Sequence, residues 1–280
     1  GQIVGTSMHG WGKATDLTDA GRSLTFSSYG YRFLKSAAAA LGWNHPGWAE
    51  PGGSACPEPW HWEWVGDGGR RGLEKIRGDA VALLAAPGDG GYLSVTGLGA
   101  VDANGAAVDR GSAAALPLAW VVVGAGETPS RAGYWVVAGD GGGFGFGDAQ
   151  FYGSTGGMRL NSAVLGMAPT ATGRGYWLVA SDGGVFSFGD AQFFGSTGGA
   201  RLVRPVVGMA ATPSGAGYWL VASDGGVLSF GDAQFFGSGA GDSASPVVDI
   251  VASSTGNGYW LLRANGDVAA FGDATFFGNG

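Results

Sequence analysis

The chain has 280 residues, a formal charge of −7, 58 glycines and 11 prolines. Its acidity excludes a phosphate backbone as a partner, and the lack of any run of about 18 apolar residues excludes a helical membrane span. Glycine at this level suits disorder, but 11 Trp, 15 Phe and 8 Tyr with only 13% charged residues supply a sizeable apolar core.

Residues 1–68 are irregular and hold all three histidines and six of the eleven tryptophans. The chain starts at Gly1 without a signal peptide, which reads as a processed or truncated piece and places nothing in the cytoplasm. Tyr31, Leu34, Ala38 and Leu41 fall at helical spacing, Ser27 or Ser28 can cap the start, and Gly42 is a stop. Trp60, Trp62 and Trp64 alternate with His61 and Glu63, the period of a strand. Cys56 is the single cysteine, so no internal disulfide forms. The glycine-rich, locally basic stretch from Gly66 to Gly78 reads as a linker, dividing the chain into 1–68, a linker over 69–78, and 79–280.

From Asp79 onward the sequence repeats. GYW begins at Gly133, Gly175, Gly217 and Gly258, spaced 42, 42 and 41 residues apart, with an eroded copy at Gly91-Tyr92. Each copy carries an upstream VVGMA-like run, such as Val206–Ala211. Downstream come a Phe-Gly-Asp run and an aromatic pair followed by Gly, as at Phe193-Phe194-Gly195. Turn signals separate four short apolar runs in each of five units, the arithmetic of a β-propeller blade. The reading is an all-β repeat domain forming a five-bladed β-propeller, with a β-hairpin solenoid as the alternative. Trp135, Trp177, Trp219 and Trp260 are expected in the core, and Asp-Gly pairs such as Asp182-Gly183 at hairpin turns.

The residues that can carry chemistry lie in the first segment. Ser7-x-His9-x-x-Gly12-x-Ala14-x-Asp16 is followed by Glu58-Pro59-Trp60-His61-Trp62-Glu63. Two imidazoles and a carboxylate can hold one zinc and leave a position open for water, and a nearby glutamate can act as base. His45 has no motif around it and is expected in a loop, Glu63 orients a ligand or is solvated, and Lys13 lies at the surface. Trp60, Trp62 and Trp64 pack in the core or line a substrate groove.

Taken together, S-x-H-x-x-G-x-A-x-D and E-x-W-H-x-E resemble the VanY-like D-alanyl-D-alanine carboxypeptidases and related peptidoglycan peptidases. The resemblance implies an α+β zinc peptidase domain, here its C-terminal half, because the family's earlier half and its oxyanion-stabilising arginine have no counterpart before Ser7. It further implies that His9, Asp16 and His61 bind zinc, that Glu58 activates the zinc-bound water, and that Ser7 helps bind substrate. The expected function is hydrolysis of D-Ala-containing peptidoglycan stem peptides by a secreted, wall-associated enzyme. Its repeats would hold a wall glycan or a surface protein. The alternative is a non-catalytic binding or structural repeat protein of the cell surface that carries an inactive peptidase remnant.

Overall fold

The computed structural model describes residues 80–279 apart from 117 and 242–244 and, within residues 1–79, the backbone of five short strands. The chain divides into two compact parts, Gly1–Asp79 and Ala80–Gly280.

In the first part β5 (His61–Trp64) lies between β1 (Ala14–Asp16) and β4 (Trp43–Asn44), and β2 (Thr18–Asp19) pairs with β3 (Arg22–Ser23). The alternation around Trp62 is thus a strand. The α+β class is overturned: every element described here is a strand, and among the described residues of the whole chain the one helical element is a 3₁₀ turn at Pro87–Asp89. The helical spacing of Tyr31–Leu41 lies outside the described residues.

The second part is five antiparallel sheets in chain order. Repeat one is β6 (Ala80–Ala85), β7 (Gly91–Thr96) and β8 (Val101–Gly105). Repeat two is β9 (Val122–Glu127), β10 (Gly133–Ala138) and β11 (Gly143–Gly147). Repeat three is β12 (Val164–Pro169), β13 (Gly175–Ala180) and β14 (Val185–Gly189). Repeat four is β15 (Val206–Ala211), β16 (Gly217–Ala222) and β17 (Val227–Gly231), and repeat five is β18 (Val247–Ala252), β19 (Gly258–Arg263) and β20 (Val268–Gly272). In each the GYW-type strand is central. The expected fourth strand is absent: in repeats two to five the aromatic-pair run before the glycine is irregular chain, so the repeats are three-stranded.

Every residue of β10, β13 and β16 is buried, because both faces of these strands are covered. Alternation assigns the faces. Trp177 and Val179 pack against Tyr218 and Leu220 of repeat four, and Trp219 and Val221 against Tyr259 and Leu261 of repeat five. Junctions between repeats one and two and between two and three follow the same rule. A hydrogen bond reinforces each joint: the Tyr176, Tyr218 and Tyr259 hydroxyls donate to Gly153, Gly195 and Gly237 O at 2.5, 2.6 and 2.5 Å. The glycine has to be there. At Gly195 φ is +136°, and a Cβ would sit 2.6 Å from the Phe230 ring.

The Asp-Gly turns behave as expected, with Asp182 Oδ1 accepting from Gly184 N–H at 2.9 Å. The aspartate of Phe-Gly-Asp has a role that the sequence left open. Asp190 accepts from Thr170 and Thr172 hydroxyls at 2.9 and 2.5 Å, tying the first hairpin loop to the end of the third strand. Repeats two, four and five repeat this clamp with Asp148, Asp232 and Asp273. In repeat one the matching positions are Ala86 and Ala106, so donor and acceptor are missing together.

The first strands β6, β9, β12, β15 and β18 pack in succession and line one common cavity, which a linear hairpin stack would not produce. The repeated three-stranded sheets thus resemble a β-propeller. The end faces are not mated as the internal ones are. Tyr92 of repeat one is 46% exposed where its counterparts are buried, and in repeat five Leu262 is 40% and Phe277 87% exposed.

Candidate functional site

Two features of the repeat domain present side chains to a ligand. The first is the cavity among the first strands, about 590 Å³ in volume. Each of β12, β15 and β18 shifts register after its first residue, the mark of a bulge. The residue just past the bulge is Gly166, Gly208 or Asp249, matched by Ala82 and Gly124 in repeats one and two. These small residues let adjacent strands approach: a Cβ on Gly124 would lie 3.4 Å from the Gly166 Cα, and one on Gly208 3.3 Å from the Asp249 Cα.

Asp249 is the exception in this ring. It keeps solvent access through the cavity and accepts a hydrogen bond from Ile250 N–H at 2.8 Å. Burial between the cavity walls pushes its carboxyl above the ordinary carboxylate range, against the opposing pull of that hydrogen bond. The remaining cavity-lining side chains are apolar, among them Leu83, Leu165, Met167, Met209 and Leu262.

The second feature is a set of outward phenylalanines. Phe151, Phe193, Phe235 and Phe276 occupy one position in repeats two to five and are 54–60% exposed. Each follows a residue whose carbonyl accepts a tryptophan indole N–H: Gln150 from Trp135, Gln192 from Trp177, Gln234 from Trp219 and Thr275 from Trp260, at 2.6–2.8 Å. The core tryptophan therefore fixes the run that carries the exposed ring. In repeat one Leu93 replaces the tryptophan and Asp109 the phenylalanine, so anchor and exposed ring disappear together. Sequence reasoning placed these rings in a fourth strand. The aromatic doublet was the available signal, because adjacent residues of an extended chain face opposite ways and the second ring is the one turned into the joint.

Of the expected peptidase residues, Ser7, His9 and Glu58 lie outside the described residues. Asp16 and His61 are placed as direct partners across β1 and β5, with Ala14 opposite Glu63. Among the described residues no cluster of three or more His, Cys, Asp or Glu could hold a metal, and no helix is long and apolar enough to cross a membrane.

No protein-family model matches the chain, and no curated protein matches it. The resemblance to VanY-like carboxypeptidases therefore gains no support from relatives. Among solved structures the chain is similar to the β-propeller domain of Cps50 (Swd1) from Myceliophteria thermophila, with 9% identity and a TM-score of 0.47. The match covers 70% of this chain and 66% of that one, just under two thirds of its length. A likeness this remote carries no argument about function.

Proposed function

We propose that the chain is a non-catalytic binding and structural repeat protein of the extracytoplasmic cell surface, which holds a wall glycan through its outward phenylalanines. The observation that carries this reading is the set of four exposed rings, each fixed by a tryptophan that is buried in repeats two to four and half-buried in repeat five. Large exposed apolar side chains repeated at one position mark an interaction surface. A periodic polymer can engage several of them at once, so weak individual contacts add through effective concentration. The net charge of −7 favours a neutral glycan over a polyanion.

Sedimentation with purified bacterial cell walls tests this. The wild-type chain should pellet with the walls, and a Phe151/Phe193/Phe235→Ala variant should remain in the supernatant while keeping its thermal transition. Exposed positions cost little stability when truncated, about 0.5 kcal/mol or less each. A wild-type chain that stays in solution, or a variant that pellets equally, rejects the reading.

A second reading is favoured by the pairing of Asp16 with His61, since directly opposed residues of an antiparallel pair share one face of the sheet. In it the first segment is a zinc D,D-peptidase acting on peptidoglycan stem peptides. His9, Asp16 and His61 hold the metal, Glu58 takes the proton of the attacking water, and Ser7 contacts substrate. When bound, zinc supplies a water acidic enough to be deprotonated near neutral pH. Equal zinc content in the wild type and a His61→Ala variant would remove this reading.

A further inference from the structure

The cavity among the first strands breaks the symmetry of the repeats at one point. Four of its five ring positions are Ala82, Gly124, Gly166 and Gly208, which carry at most a methyl group, and the fifth is Asp249. The chain keeps the other repeat signatures nearby, with Val247 and Ile250 in the buried positions of β18. The substitution is thus local to the cavity wall and leaves the strand intact.

We propose that this cavity binds an organic cation, an amine with an apolar body, whose ammonium group pairs with Asp249. A volume of about 590 Å³ lies within the range of small-molecule sites, roughly 300–1,000 Å³. Asp249 is the sole ionisable residue among those lining the cavity, on any of the five strands that enclose it. The side chains of Leu165, Met167, Met209 and Leu262 offer apolar contact to the rest of the ligand. Gly208 on the neighbouring strand leaves room for the carboxylate: a Cβ there would come within 3.0 Å of Asp249 Oδ1.

Charge and ligand count select the class. A carboxylate on the cavity wall repels anions and attracts cations. A bare divalent cation fits poorly, because hard metals require about six or more oxygen ligands and this wall supplies one carboxylate. An alkylammonium needs one counter-ion and apolar walls.

Isothermal titration calorimetry of the full chain with n-hexylammonium chloride, and in parallel with sodium hexanoate, provides the test. Saturable one-site binding of the amine is expected, with none for the carboxylate. Asp249→Gly restores the residue found in repeats two to four, so it retains the fold, and it should weaken binding at least about tenfold, as should Asp249→Asn. Amine affinity should also fall as pH drops through the Asp249 titration, because the protonated carboxyl loses its charge. Absence of saturable amine binding to the wild type, equal affinity in Asp249→Gly, or hexanoate binding as tight as the amine would each overturn the assignment.

Discussion

Replacing Tyr218 with Phe isolates the hydrogen bond that joins repeats three and four. The ring contacts remain, with Phe230 at 5.6 Å and Trp177 at 5.7 Å between centroids. What is removed is a buried hydroxyl that donates to Gly195 O at 2.6 Å and accepts from Phe194 N–H at 3.2 Å. Two main-chain groups lose their partner inside a packed joint. Each unsatisfied buried group costs about 1–3 kcal/mol, so the loss should total roughly 3 kcal/mol. For a domain of this size that lowers Tm by roughly 6–12 °C, at about 2–4 °C per kcal/mol. Tyr92→Phe is the internal control, because Tyr92 is 46% exposed and lies on a face that no preceding repeat covers. It should change stability by about 0.5 kcal/mol or less. Calorimetry and denaturant midpoints on both variants read the difference. Equal losses in the two, or none at Tyr218, would refute the joint as described.

Gly195→Ala should destabilise more than Gly278→Ala in denaturant titrations. Both positions have positive φ, +136° and +118°, but a Cβ at Gly195 meets the Phe230 ring at 2.6 Å whereas Gly278 has nothing within 4 Å. Equal losses would mean that ring contact does not limit the joint. Alkaline pH should weaken the same joints. Burial pushes the hydroxyls of Tyr176, Tyr218 and Tyr259 above the ordinary tyrosine range and that of Tyr134 to about 12. The unfolded chain then loses these protons first, so the contribution is complete below about pH 10 and is lost as pH rises toward about 12. A denaturation midpoint that stays constant across that window would contradict it.

The repeat period was plain in the sequence because the junctions among repeats two to five use nearly the same residues. GYW supplies a strand covered on both faces, and the Asp-Gly turns can be read from side-chain chemistry alone. The fourth run was misread because Phe193-Phe194-Gly195 has the composition of a strand. In the fold its polar groups go instead to tertiary partners: Gln192 O to the Trp177 indole, and Phe194 N–H and Gly195 O to the Tyr218 hydroxyl. No local pattern announces such long-range partners. The α+β class rested on a motif resemblance and on the helical spacing of Tyr31 to Leu41, and the elements described in that segment are strands. The opposition of Asp16 and His61 depends on a register between strands 45 residues apart, which spacing does not specify. Asp249 was visible as the departure of VVDIV from VVGMA, but its meaning needed the cavity.

The eroded first repeat bears on how the domain comes apart. In an array where each repeat touches its neighbours, opening an internal repeat breaks two junctions and opening a terminal one breaks a single junction. Repeat one starts from a lower base still, since Ala86 and Ala106 stand where the other repeats have the hydroxyl and carboxylate of their clamp, and Leu93 where they have an anchoring tryptophan. Local opening therefore runs inward from Ala80, and amide protons should exchange with solvent in that order. The slowest to exchange belong to β13, which packs on repeat two through Tyr176 and Leu178 and on repeat four through Trp177 and Val179, and sits two junctions from either end.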